Sequence, residues 1–130
     1  GQPMPKLHAV QSEKCMPLVS LYAGTKIKPE NMGTTKTVAG GFAVEAPPRI
    51  NQCLEAIKKS NGTAVPVEET RILYWQRRVA AEDGIFIEPT SAAALAGLEV
   101  LLAKGVIERS DSVLIPLTGF GLKDKIPSQI

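Results

Sequence analysis

The chain has 130 residues, 44% hydrophobic and 22% charged, with a formal net charge of +2. That balance excludes a disordered chain, and the length is one domain's worth, enough for a single core. The basic residues are dispersed, which argues against a nucleic-acid surface. Glu99 and Lys104 interrupt the longest apolar run before the roughly 18 residues a membrane span needs. Cys15 and Cys53 stand singly among apolar neighbours, without metal-ligand or disulfide-scaffold spacing. Both are expected to be buried thiols in a reducing, cytoplasmic setting, and no metal centre is expected. The chain shows no signal-peptide pattern. It opens on Gly1 without an initiator Met, as expected of a piece of something longer.

Residues 6–11 (KLHAVQ) read as a short strand. Pro17 then opens a short helix that ends at Gly24, in keeping with proline in a first helical turn and glycine just past a helix end. Residues 25–41 hold Pro29, Gly33, Gly40 and Gly41 among threonines and lysines with no apolar period, and are expected to form a mobile loop. From Ile50 the pattern turns helical: Ile50, Cys53, Leu54 and Ile57 make one stripe, closed by Asn61-Gly62. Residues 63–67 (TAVPV) predict a strand, with Pro66 marking it as an edge or an end. Residues 68–82 predict a helix with Ile72, Trp75 and Val79 on its inner face, stopped by Asp83-Gly84. Residues 85–87 (IFI) predict a buried strand. Thr90 or Ser91 then caps a helix that is apolar almost all round and runs to Lys104. Residues 112–117 (SVLIPL) predict the last strand, and Thr118 to Gly121 a turn. Strands alternating with helices imply an α/β fold: a parallel sheet of about four strands with helices on both faces, a three-layer Rossmann-like arrangement.

In open parallel sheets, ligands bind beyond the carboxyl ends of the strands. Two segments stand there: 88–91 (EPTS) after the third strand and 118–121 (TGFG) after the fourth. Each has a plain structural explanation as well, a helix cap for Thr90 or Ser91 and turn glycines for Gly119 and Gly121. His8, the only histidine, has no second histidine and no triad pattern around it, and is expected as a packing or surface residue. Cys15 and Trp75 are expected in the core.

Residues 82–105 (EDGIFIEPTSAAALAGLEVLLAKG) followed by 113–124 (VLIPLTGFGLKD) resemble the C-terminal signature of the threonine synthases, within the tryptophan-synthase-β-like fold (fold type II) of pyridoxal-phosphate enzymes. Residues 7–19 (LHAVQSEKCMPLV), 37–49 and 54–72 match as well, so the likeness runs the length of the chain, as a single C-terminal domain portion of a longer enzyme. The resemblance implies pyridoxal 5'-phosphate as cofactor, an amino-acid substrate and a homo-oligomer. It matches Thr118 to the hydroxyl that meets the cofactor's ring nitrogen, with Gly119 beside it, and Glu88 and Ser91 to the segment bordering the ring.

Two departures concern substrate choice: Phe120 stands where many threonine synthases have His, and residues 40–49 differ from an Arg-containing stretch of the family. The family's Schiff-base lysine follows a serine and a Phe or hydroxyl residue. Lys14 follows Glu13 and Lys36 follows Thr35, so no catalytic residue is expected here, and the isolated chain is expected to be inactive. The activity implied for the longer enzyme is conversion of O-phosphohomoserine and water to threonine and phosphate. A threonine or serine dehydratase of the same fold, or a stand-alone non-catalytic binding domain, fits the same residues.

Overall fold

The computed structural model describes residues 4–25 and 37–124. Two strands, β1 (Ala9–Ser12) and β2 (Ala64–Val67), pair in parallel with Ala9 opposite Ala64 and Ser12 opposite Val67. Four helices accompany them: α1 (Pro17–Tyr22), α2 (Ile50–Lys59), α3 (Glu69–Asp83) and α4 (Pro89–Ala103), with single 3-10 turns at Gly40–Phe42 and Gly121–Lys123.

Because side chains alternate along a strand, each face of the ladder feeds a different core. Ala9 and Ala64 face α1 and α2 and pack with Val19 and Ile57. Val10, Val65 and Val67 face the opposite way, toward α3 and α4, where Ile72, Ile87, Ala92, Ala93 and Ala96 form the main core. Helices therefore cover both faces, as the alternating pattern predicts. α4 reaches the sheet because Gly97 has no side chain: a Cβ there would collide with the methyls of Val10. Gly62 plays the same part at the start of the ladder, where a Cβ would collide with the Leu7 carbonyl.

The helix stops fall where the sequence places them. Gly84 closes α3 in the left-handed region at φ 69°, and Asn61 takes φ 55° after α2. α4 starts earlier than its hydroxyl residues predict. Its N-cap is Glu88 and Pro89 is the first helical residue; neither Thr90 nor Ser91 caps it. Pro89 has no N–H to lose and its φ is already helical, so it fixes the start and frees both hydroxyls for other partners.

Other expectations differ from what the structure shows. Cys53 is exposed, because α2 buries only Ile57 of its stripe, with Leu54 half-buried. Among the described residues the sheet has two strands, not four. Residues 85–87 contribute a single antiparallel bridge, Ile87 to Phe120, and residues 112–117 pair with nothing among the described residues. Most of the apolar side chains that mark 112–117 as a strand remain in solvent, Leu114 91% exposed and Val113 48%, while Ile115 is half-buried. A strand needs a neighbouring ladder edge, and residues 112–117 pair with neither edge of the two-stranded ladder. On α3, Gln76 rather than Trp75 is fully buried; Trp75 lies half-buried against the core. Of the segment 25–41, residues 26–36 lie outside the described residues. No helix among those described is long and apolar enough to cross a membrane.

Candidate functional site

Pro89 sets the first turn of α4 so that Ser91, 3% exposed, turns toward the 118–121 turn. The Ser91 Oγ accepts the backbone N–H of Thr118 at 3.1 Å and that of Gly119 at 3.2 Å. It also lies 3.3 Å from Thr118 Oγ1. A hydroxyl has two lone pairs and one proton. With both lone pairs engaged by backbone N–H groups, the Ser91 proton is what remains for Thr118 Oγ1. Thr118 then accepts from Ser91 and keeps its own proton for a group outside. Thr118 is exposed, so that proton is presented to whatever lies against the turn.

The turn is held to the 86–88 segment by a short backbone clasp. Glu88 N–H donates to Gly119 O at 3.0 Å, and Gly121 N–H donates to Phe86 O at 2.8 Å. Gln76, buried on α3, donates from Nε2 to Ile87 O at 2.8 Å, which ties the clasp to the core. Both glycines permit close approach. A Cβ on Gly121 would stand 2.8 Å from Ile87 O, and one on Gly119 would strike the Glu88 carboxylate. Glu88 is therefore packed on the Gly119 backbone with its side chain 11% exposed, and its Oε2 pairs with Lys123 Nζ at 2.6 Å. Hydrogen bonding to Glu88 holds the Lys123 ammonium above its ordinary value.

A second loop meets the same helix start. Gly41 N–H donates to Thr90 Oγ1 at 3.0 Å, and a Cβ on Gly41 would stand 2.7 Å from that oxygen. Upstream, Glu69 gathers three donors: Thr37 Oγ1 at 2.8 Å, Val38 N–H at 2.6 Å, and the hydroxyl of Ser12 at the end of β1. Ala39, fully buried, lies between the two anchors. The ends of β1 and α3 thus hold the 37–42 segment against the first turn of α4.

Other polar groups serve the scaffold. Arg71 forms two hydrogen bonds to Glu99, at 3.0 and 2.7 Å, and Trp75 Nε1 adds a third at 3.3 Å. Hydrogen bonding to Arg71 holds the Glu99 carboxyl below its ordinary range. This pair lines an open cleft of about 460 Å³ beside the later turns of α4, away from Thr118. Burial, then the charge of Glu45, pushes the Cys15 thiol up, as fits a core residue rather than a nucleophile. His8 is half-buried and its Nδ1 has no partner among the described residues.

All four residues singled out in sequence, Glu88, Ser91, Thr118 and Gly119, come together in this one clasp. Sequence reasoning missed Lys123, Gln76 and the Gly41–Thr90 contact. Only Lys123 left a signal: a lysine just beyond a glycine turn, downstream of a glutamate at the end of an apolar run, which needs a cation once buried.

A family model described as pyridoxal-phosphate dependent enzyme matches residues 1–119 of this chain. A threonine synthase of Methanosarcina acetivorans is 38% identical over 123 residues, covering 93% of this chain and 30% of its own length. The threonine synthase of Methanocaldococcus jannaschii is 32% identical over 121 residues, with coverage of 93% and 30%. The chain thus spans about 30% of the length of these curated relatives. Among solved structures, a threonine deaminase from T.th. superposes with a TM-score of 0.58 at 22% identity, over 92% of this chain and 41% of its own, a likeness of fold.

Proposed function

This chain belongs to the family of pyridoxal-phosphate-dependent enzymes, and on that premise we propose that it is the C-terminal part of a threonine synthase. The longer protein would convert O-phosphohomoserine and water to threonine and phosphate. The observation that carries this reading is the Ser91–Thr118 pair, together with the threonine synthase relatives at 38% and 32% identity.

The donor set fits the cofactor. An exposed, neutral hydroxyl whose proton is free suits an unprotonated ring nitrogen, which is an acceptor only. The backbone behind it is fixed by Ser91, and the glycine beside it makes room for the Glu88 carboxylate. In this reading Thr118 meets the ring nitrogen, Gly119 borders the ring, and Ser91 and Glu88 support the turn. Pyridoxal phosphate, when bound, supplies the electron sink for charge that develops on the substrate carbon. Thr118 sets how strong that sink is, because a neutral hydrogen bond leaves the nitrogen unprotonated where a carboxylic acid would charge it. The Schiff-base lysine and the phosphate site belong to the rest of the longer protein. A sheet of about four strands is part of this reading, with strands of the longer protein beside the two-stranded ladder and residues 112–117 of this chain joining it.

The test is Thr118→Val in the full-length protein. Cofactor content is expected to stay, while turnover falls roughly tenfold, the rate equivalent of about 1.4 kcal/mol. Loss of cofactor with no effect on the remaining turnover would sink the assignment of Thr118. The 130-residue chain alone should neither trap the cofactor covalently on borohydride reduction nor form threonine. A stoichiometric adduct on one of its lysines would overturn that. A dehydratase is the second reading, favoured by the fold likeness to a threonine deaminase. Supplying threonine and O-phosphohomoserine side by side separates the two, since only a dehydratase consumes the first.

A further inference from the structure

The structure points to a positioning residue that the cofactor reading does not contain, although the inference rests on that reading. We propose that Lys123 holds the Glu88 carboxylate against the Gly119 backbone and so keeps it from the ring nitrogen, which is left to the neutral hydroxyl of Thr118.

The carboxylate and the hydroxyl both stand at one small turn. Glu88 N–H is bonded to Gly119 O, and Thr118 and Gly119 are both bonded to Ser91, three residues beyond Glu88. The Glu88 side chain lies on the α-carbon of Gly119, the residue next to Thr118. A negatively charged acceptor is therefore one residue from the hydroxyl assigned to the ring nitrogen. The two groups have opposite effects there. A carboxylate beside a pyridine nitrogen stabilises its protonated form, whereas a hydroxyl donor stabilises the bare nitrogen. A site built for one must keep the other away.

Lys123 meets that need geometrically. Its Nζ is 2.6 Å from Glu88 Oε2, while Oε1 is the oxygen packed on Gly119. One oxygen is held by the ammonium and the other by backbone packing, so the carboxylate cannot turn without breaking the ion pair. The pair is lopsided, with Glu88 11% exposed at the side chain and Lys123 63% exposed. The lysine reaches in from solvent to a carboxylate that the turn has already buried. The 3-10 turn Gly121–Lys123 is what directs it back, and Gly121 is pinned to Phe86. A buried carboxylate without a partner seeks another proton or cation. With the lysine removed and the cofactor bound, a ring nitrogen held at Thr118, the residue beside Gly119, would be a group able to share that proton.

The experiment uses the full-length protein loaded with pyridoxal phosphate labelled with 15N in the ring. The nitrogen resonance is read in the parent and in Lys123→Met, Lys123→Arg, Glu88→Gln and the double variant Lys123→Met with Glu88→Gln. The parent, Lys123→Arg and Glu88→Gln are expected to show an unprotonated nitrogen. Lys123→Met is expected to shift it upfield toward the protonated range, and Glu88→Gln in the same chain to abolish that shift. A general loosening of the turn would persist in the double variant, so persistence overturns the proposal. So does an unchanged resonance in a cofactor-loaded Lys123→Met protein, which leaves the functional reading intact. A protein that takes up no cofactor sinks both.

Discussion

Two regions of this chain carry large apolar side chains and treat them in opposite ways. The β1–β2 ladder with α3 and α4 buries its apolar residues: Ile72, Ile87, Ala92, Ala93 and Ala96 are each 1% exposed or less. Residues 112–122 leave most of theirs in water, with Leu114 at 91%, Leu122 at 71% and Phe120 at 59%. The difference is not in hydrophobicity but in partners. α4 has a glycine where the sheet approaches and a strand face to meet, whereas 112–117 pairs with no ladder edge among the described residues. The clasp of Glu88, Ser91, Gly119 and Gly121 joins the packed region to the bare one, and it is there that the candidate site residues collect.

The sharpest way to break the comparison is to damage the packed region and find it tolerant. Ile72→Ala removes a fully buried side chain and should cost about 2–5 kcal/mol, seen as a lower urea midpoint at unchanged slope. Gly97→Ala adds one methyl where Val10 already stands and should cost about 1–3 kcal/mol. If instead it stabilised the helix by its propensity, α4 would not pack on β1 as described.

A smaller effect comes from His8, at the margin of the ladder. Burial, and secondarily Lys6, hold its imidazole below the ordinary value of 6.5. The unfolded chain therefore binds the proton first, so this contribution is complete above about pH 6.5 and is lost as the pH falls below that value, through the lower folded one. The slope is less than about 1.4 kcal/mol per pH unit, the single-proton limit. Chemical denaturation across pH 5 to 8, compared with His8→Gln, should show the slope only in the parent. The smallest effect belongs to the bare region. Leu114→Ser should change stability by no more than about 0.5 kcal/mol, because the side chain is already in water. A large loss there would mean that the segment is packed after all.

Local signals in the sequence located the helices and both paired strands. Asn61-Gly62, Asp83-Gly84 and Gly105 act on their own backbone, and the apolar stripes act over a few turns. What could not be read depends on distant residues. Whether 112–117 becomes a strand depends on a neighbour, not on its own side chains. Cys53 looks buried in a stripe, but only a facing element decides which end of α2 is covered. Glu88, Ser91, Thr118 and Gly119 were legible through their resemblance to a known family. Their arrangement was not, because it depends on Pro89 starting α4 early enough to aim Ser91 at the turn. Lys123 was missed for the same reason: its role exists only once Glu88 is buried beside it.

Pro66 gives the ladder two unequal margins. The carbonyls of Thr63 and Val67 accept from Ala9 and Glu13 of the β1 side, so by alternation the nitrogen of Pro66 faces outward. That margin lacks a donor where any incoming backbone would look for one, while β1 keeps outward N–H groups at Val10 and Ser12. A stray chain zipping along β2 would forfeit a rung at its centre. The sequence thus builds protection against runaway pairing into one side of the sheet with a single ring closure, and leaves β1 as the side with an unbroken set of donors.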